Sequence, residues 1–363
     1  MAKSNDFWRG RRVLVTGHTG FKGAWLALWL EHLGAEVCGF ALTPETDLNL
    51  FESLSDWHGL SSIIGDIRDR EALNIGAVFA DPNVVFHLAA QSLVRRGHTD
   101  PQTTFSTNVQ GTANLLGALD NCPGLRAIVV ATSDKCYSND GSGRPFVETD
   151  PLGGDDPYSA SKAAQEIICH GWSRGLYESR DRAPRLATAR AGNVIGGGDW
   201  AEDRVLPDLF RALAIDAPVQ LRNPQATRPW QHVLEPLSGY LAYAEALVRD
   251  REGGAPAALN FGPAIGQSRP VAWLVDQAIG HLRAANKSVA DWQTDATASR
   301  PEATSLALDP SLAQQTLGWR PKLSQEQGIE WTVEWHLRVG DGEAAHDVTL
   351  DQITRYETLM AAP

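Results

Sequence analysis

A short apolar and β-branched run, Val13-Leu14-Val15-Thr16, leads into Gly17, Gly20 and Gly23, and Ala24 to Leu33 then reads as a helix. No other stretch restricts the fold as strongly. The run suits a buried parallel strand. Glycines spaced G-x-x-G-x-x-G between a strand and a helix bring backbone N–H groups and the positive helix end to face an anion, here a pyrophosphate. The glycines alone are a weak signal, but between strand and helix they point to a dinucleotide cradle that includes Thr19, Phe21 and Lys22. The expected fold class is α/β, a doubly wound parallel sheet of Rossmann type, with a smaller substrate domain.

The following segments keep a βα rhythm. Glu36 to Ala41 reads as the second strand, followed by Leu42 and Thr43 where an acid would hold an adenine ribose. No basic residue sits there for a 2'-phosphate, so NAD is the expected cofactor. Ile63 to Ile67 reads as the third strand, with Asp66 either meeting the adenine or capping its own loop. Val84 to Ala90 is the fourth, ending in Leu88-Ala89-Ala90, small enough at its tip for close cofactor approach; His87 within it reads as a core histidine. Gln91 to Asp100 reads as a polar loop on the substrate side, with Gln91, Arg95 and Arg96. A helix follows from about Thr104 to Asn121, then a fifth strand, Ala127 to Ala131. Thr132-Ser133-Asp134-Lys135-Cys136-Tyr137 stands at its carboxyl end, where ligands bind in such sheets.

Ala187 to Arg190 reads as a sixth strand, and the glycine-rich Ala191 to Trp200, containing Asn193, as a flexible loop over the substrate. From there the rhythm loosens. We place the dinucleotide-binding part at 1–190 plus about 233–263, and the substrate part at about 191–232 plus 264–363. Arg222 and Arg228, with Trp230 nearby, suit a nucleotide's phosphates and base. Leu237 to Val248 and Leu350 to Met360 read as helices, Ala258 to Phe261 as a last strand, and Arg300-Pro301-Glu302 closes the smaller part.

Composition narrows the function. A net charge of −12 argues against a protein that tracks nucleic-acid phosphates. No apolar run approaches the ~20 residues of a membrane span, and the polar start leads directly into a strand, without a signal-peptide pattern. Cys38, Cys122, Cys136 and Cys169 lack metal-ligand spacing and read as buried free thiols of a cytoplasmic protein. No metal is expected.

Tyr158-Ser159-Ala160-Ser161-Lys162 carries the chemistry. A Tyr and a Lys four residues apart share a helix face. A phenol of ordinary pKa about 10 is a poor base, and a neighbouring ammonium favours its phenolate. The pair can then take a proton from a sugar hydroxyl.

Together these segments resemble the extended short-chain dehydrogenase/reductases, and within them the nucleotide-sugar 4,6-dehydratases. The resemblance rests on Gly17 to Gly23, Thr132 to Tyr137, Asp156 to Lys162, Arg190 to Trp200 and Arg228 to Leu237. It is strongest to the branch acting on CDP-glucose and runs from about Val13 to Trp335. It implies a lyase with an internal redox cycle on NAD, ending in a 4-keto-6-deoxy sugar for deoxysugar synthesis, usually for surface polysaccharide such as lipopolysaccharide. By position Tyr158 and Lys162 take the 4-hydroxyl proton, Asp134 protonates the departing 6-hydroxyl, and Ser133 or Thr132 bonds near the 4-oxygen. Lys135 stands where the dTDP-glucose branch carries a Glu proposed as the C5 base. It serves either as a base of lowered pKa or as an electrostatic stabiliser of the enolate. A homodimer or dimer of dimers, built on the helices near Asn108 and Tyr158, is the family-based expectation. A 4-epimerase, or a dehydratase of another nucleotide sugar, is the alternative; an epimerase has no need of Asp134 and Lys135.

Overall fold

Strand β1 (Arg12–Thr16) pairs in parallel on both sides, with β2 (Glu36–Ala41) and β4 (Val84–His87). Its residues alternate between two cores: Val13 and Val15 face one, Leu14 the other. With β3 (Leu60–Ile64), β5 (Ala127–Ala131), β6 (Arg185–Ala191) and β7 (Ala258–Phe261) it forms a seven-stranded sheet in the order β7-β6-β5-β4-β1-β2-β3. Every pairing in that sheet is parallel. The winding reverses between β1 and β4, which opens a crevice at the carboxyl ends of the strands. The doubly wound fold expected from the sequence is the one observed. The computed structural model describes residues 4–54, 57–180, 183–250, 253–295 and 306–362.

Helices cover both faces, as an all-parallel sheet requires. On one face α1 (Phe21–His32), α6 (Leu234–Arg249) and α9 (Ala345–Ala361) enclose Trp25, Trp29, Tyr240 and Tyr356 against Val13, Phe86 and Val129. On the other, α2 (Arg70–Ala80), α3 (Gly111–Ala118) and α4 (Pro157–Trp172) bury Leu73, Leu115 and Cys169 against Leu14, Val85 and Ile128. A separate core joins α5 (Val205–Ala214), α7 (Val271–Ala284) and α8 (Gln325–Gly340) through Leu209, Phe210, Leu274, Ile279 and Ile329. Helix α9 thus belongs to the core over the large sheet, although it comes last in the chain.

Several segments differ from the sequence reading. Strand β3 runs from Leu60 to Ile64 rather than from Ile63 to Ile67, because Gly65 and Asp66 disfavour a strand and Asp66 opens the turn that follows. The polar stretch after β4 contains a helical segment, Val94–Thr99. The helix expected from Thr104 starts at Pro101, with the Asp100 side chain accepting from Thr103 N, and passes through a π turn, Ser106–Gln110, before α3. The glycine-rich segment after β6 is buried rather than flexible. Val194–Ile195 pairs with Gln231–His232, and the carbonyl of Gly197 accepts a 2.9 Å bond from the Trp25 indole. All four cysteines are free and buried. Among the described residues no helix is long and apolar enough to cross a membrane.

Candidate active site

The carboxyl ends of β1, β4, β5 and β6 open onto a cleft of about 1470 Å³, walled on its far side by α5 and the segment 219–230. At one end lies the glycine turn. Gly17 has φ +78°, and a Cβ there would sit 2.7 Å from the amide nitrogen of Ala89; one at Gly23 would sit 2.0 Å from the Gly17 carbonyl. Only glycine lets the turn close this tightly against the end of β4. Gly20 precedes α1 without a side-chain cap, so the first N–H groups of the helix face the cleft unclaimed by a cap. Thr19 Oγ1 donates to the Leu42 carbonyl at 2.8 Å, tying the turn to the end of β2. Ile67, Leu88, Ala89 and Ala90 line the same end, and Phe21 lies on the first turn of α1. This cradle fits the pyrophosphate and adenosine of a dinucleotide. Lys22 donates to Tyr240 Oη at 3.0 Å. Burial, then the charges of Arg204 and Lys162, lower its ammonium to about 7 against the pull of Asp134.

Asp66 closes its own turn, accepting from Arg68 N at 2.8 Å, and pairs with the Arg68 guanidinium while lining the cleft. Both roles weighed for it from sequence are thus compatible. Arg96 pairs with Glu45 just beyond β2. His87 lies between Thr16 Oγ1 at 2.7 Å and Thr112 Oγ1 at 3.0 Å, and burial lowers it to about 3. It is the satisfied core histidine that its strand position suggested.

The turn after β5 and the first turns of α4 meet at the centre of the cleft. Helix α4 begins where it does because Asp156 accepts from Ser159 N at 3.0 Å and Pro157 takes the first helical position. Its face then aims Tyr158 and Lys162 at the sheet. Ser133 lies near the Tyr158 hydroxyl and donates to Asp134 Oδ1 at 3.0 Å. Asp134 Oδ2 is enclosed and has no hydrogen-bond partner. Burial raises this carboxyl, while Lys135, Ser133 and Arg228 pull it back. The Thr132 hydroxyl points away from these groups and donates to Glu166 at 2.5 Å. Of the two hydroxyls the sequence left open, Ser133 is the one at the tyrosine.

Burial pushes the Tyr158 phenol up to about 12, opposed by the Ser133 hydroxyl and by the charge of Arg204. The Lys162 ammonium, expected beside the phenol, instead donates to Gln165 Oε1 at 2.9 Å and to the Ala131 carbonyl at 3.3 Å. The free carbonyl at the end of β5 and a glutamine one turn on claim its N–H groups. Burial lowers Lys162 to about 8.

At the mouth, Arg95 and Arg222 both bond Asp203 Oδ1, at 2.6 and 3.0 Å. The two arginines come from opposite walls, and Asp203 was missed from sequence because only the fold brings them together. Arg204, also missed, reaches within 3.4 Å of Ser92 Oγ and 3.8 Å of Asp199. Arg228 is buried on the cleft wall and Asn193 lines the same wall. The Gln91 amide donates to Leu93 O and Thr104 Oγ1, shaping its own loop. Trp230 lines the cleft while packed in the α5–α7 core, with its indole N–H on the Arg269 carbonyl. Arg300, with Pro301 and Glu302, lies outside the described residues.

Known proteins share this arrangement. The family described as GDP-mannose 4,6 dehydratase matches residues 14–332. The CDP-glucose 4,6-dehydratase of Salmonella typhimurium is 42% identical over 338 residues, covering 91% of this chain and 92% of the relative. The solved dTDP-glucose 4,6-dehydratase of Bacillus anthracis, in complex with NAD, has the same fold with a TM-score of 0.73 at 23% identity, covering 91% of this chain and 97% of that one. MoeE5 in complex with UDP-glucuronic acid and NAD has a TM-score of 0.73 at 26% identity, covering 90% and 99%. With the family match spanning most of its length, the chain belongs to the GDP-mannose 4,6-dehydratase family of extended short-chain dehydrogenase/reductases.

Proposed function

We propose that the protein converts CDP-glucose to CDP-4-keto-6-deoxyglucose with NAD as a regenerated cofactor. The observation that carries this is the buried Asp134 carboxyl, with one oxygen on Ser133 and the other without a partner, in the same cluster as Tyr158. An epimerase needs the tyrosine but no such acid. The relative from Salmonella typhimurium supports the choice of CDP-glucose. The NAD-bound relative and the cradle at Gly17 to Gly23 support NAD. The pairing of Arg68 with Asp66 and of Arg96 with Glu45 also leaves those two cations matched by carboxylates rather than facing a 2'-phosphate.

When bound, the cofactor supplies the hydride acceptor for C4 and returns the hydride to C6. The chain supplies the proton traffic. Tyr158, assisted by Lys162, takes the 4-hydroxyl proton, and Ser133 holds the oxygen it leaves. The 4-keto group acidifies C5–H, and Lys135, beside Asp134, takes that proton and returns it to C5 when C6 is reduced. Asp134, which burial favours in its protonated form, gives its proton to the departing 6-hydroxyl. Arg95, Asn193, Arg222, Arg228 and Arg300 would hold the diphosphate and base. In this reading residues 1–190 with 233–263 carry the cofactor, and 191–232 with 264–363, apart from the sheet-covering α9, hold the nucleotide sugar.

A homodimer in the cytoplasm completes the proposal. Phe105 and Ile167, on neighbouring helices near Asn108 and Tyr158, are 40% and 62% exposed, which suits a covered face, and four free thiols suit a reducing compartment. The test is incubation with NAD and, separately, CDP-, dTDP-, UDP- and GDP-hexoses, read by mass spectrometry. Loss of one water from CDP-glucose, without proportional NADH, is expected. Water lost only from another nucleotide sugar would reassign the base, and isomerised sugar would revive the epimerase.

A further inference from the structure

Glu166 has no part in the proton transfers proposed, although it is buried beneath Thr132 and Lys162, which line the cleft. It follows Lys162 by one turn of α4 and Tyr158 by two. Its Oε1 accepts from Thr132 Oγ1 at 2.5 Å and Arg190 Nε at 2.9 Å; its Oε2 accepts from Thr188 Oγ1 at 2.7 Å and Arg190 Nη2 at 2.7 Å. Arg190 Nη1 continues to Tyr137 Oη at 2.8 Å and the Glu148 carbonyl at 3.0 Å. The end of β5, strand β6 and helix α4 therefore converge on this one carboxylate, and Arg190 extends the network to the turn after β5.

Lys162 hydrogen-bonds only neutral groups, Ala131 O and Gln165. The titratable groups facing it are Glu166 and Cys169 on its own helix, Cys136 in the turn after β5, Lys22 on α1 and His87 at the end of β4. Burial pushes both thiols up and His87 down, so all three are uncharged near neutral pH. Glu166 is then the one anion of the set, with the Arg190 guanidinium as the cation bonded to it. Burial has already brought Lys162 down to about 8, and a buried ammonium without an anion falls further.

We propose that Glu166 is a positioning residue of the site, whose charge keeps Lys162 protonated and whose bond to Thr132 turns that hydroxyl away, leaving Ser133 to meet the sugar. The consequence for turnover rests on the dehydratase reading; the test below does not. The chain has six lysines, so lysine side-chain NMR with 13Cε labelling can follow each one, with Lys162 assigned through Lys162→Arg. In Glu166→Gln the Lys162 titration midpoint should fall by at least about one pH unit, a tenfold change in its protonation equilibrium. In Thr132→Val, which keeps the charge, it should stay. Should Arg190, left unpaired, prevent Glu166→Gln from folding, Glu166→Gln/Arg190→Met is compared with Arg190→Met, so that only the Glu166 charge differs, and the same fall is expected. An unchanged midpoint in whichever variant folds overturns the proposal and leaves Glu166 as a fold anchor. With CDP-glucose, the kcat of Glu166→Gln should fall more at pH 8 than at pH 6.5 while KM stays. Wild-type protein that removes no water from any nucleotide sugar would sink the functional reading and leave the titration to decide this one.

Discussion

The layer beneath the cleft and the centre of the cleft bury carboxylates in opposite ways. Glu166 beneath the cleft has both oxygens filled by two hydroxyls and a forked guanidinium, the arrangement that best offsets the desolvation of a buried charge. Asp134, only a strand end away, has one oxygen on Ser133 and the other enclosed without a partner. A carboxylate filled by a guanidinium and two hydroxyls holds structure. An unsaturated one is pushed towards its protonated form and can lend that proton to a substrate. The contrast separates what builds the site from what reacts in it.

Asp134→Asn should break the contrast at the reacting end and have the largest effect. The amide cannot supply the proton, so water loss should slow by about 10²–10⁴. Fold stability should hold or rise, because a neutral group replaces a buried acid. Product mass and NADH absorbance, read together, check this: C4 oxidation should outlast elimination. A variant that unfolds while the surviving molecules turn over normally would reverse the assignment.

Arg190→Met breaks the contrast from the other side. Removing the guanidinium leaves Glu166 buried and uncompensated, which should cost about 3–5 kcal/mol of folding free energy. Urea unfolding measures it, and adding Glu166→Gln should recover most of the loss. If Arg190→Met costs no more than an exposed substitution, the pair is not the anchor its geometry describes.

These roles were unequally legible in the sequence. The glycine turn, the Tyr158–Lys162 spacing and all seven strands are local patterns, and local patterns survive without tertiary information. Ser133 and Thr132 are adjacent hydroxyls whose division of labour depends on Glu166, thirty-odd residues away, and no pattern within the turn separates them. Glu166 itself stands four residues after Lys162, so the same helical spacing that singled out the tyrosine and lysine could have reached it. Asp203, by contrast, gains its two arginines only when Arg95 and Arg222 come from opposite walls. The glycines of 196–198 suggested freedom because sequence shows small residues but not what packs on them. For Trp230 too the sequence shows an aromatic beside arginines but not that it packs in the core as well as lining the cleft.

Glu235 sharpens the comparison by supplying the intermediate case: a filled carboxylate with no guanidinium. On α6 it accepts from Leu323 N at 2.6 Å, Lys322 N at 3.0 Å and Tyr356 Oη at 2.7 Å, and so ties α9 and the segment before α8 to the sheet's cover. Burial pushes it up to about 7, with those three hydrogen bonds and the Lys322 charge opposing. An unfolded glutamate titrates near about 4.3. Between these values the folded state holds more protons than the unfolded one, so stability must fall as pH rises from about 4.5 to 7 and then level off. The span corresponds to a loss of at most about 4 kcal/mol from this group. Glu235→Gln has no proton to lose, so its unfolding free energy should vary less over that window and overtake the wild type's towards pH 8. Urea midpoints at several pH values decide it. Parallel curves for the two proteins would place the pH dependence elsewhere, and would mean that neutral donors alone can offset the burial of the Glu235 carboxylate.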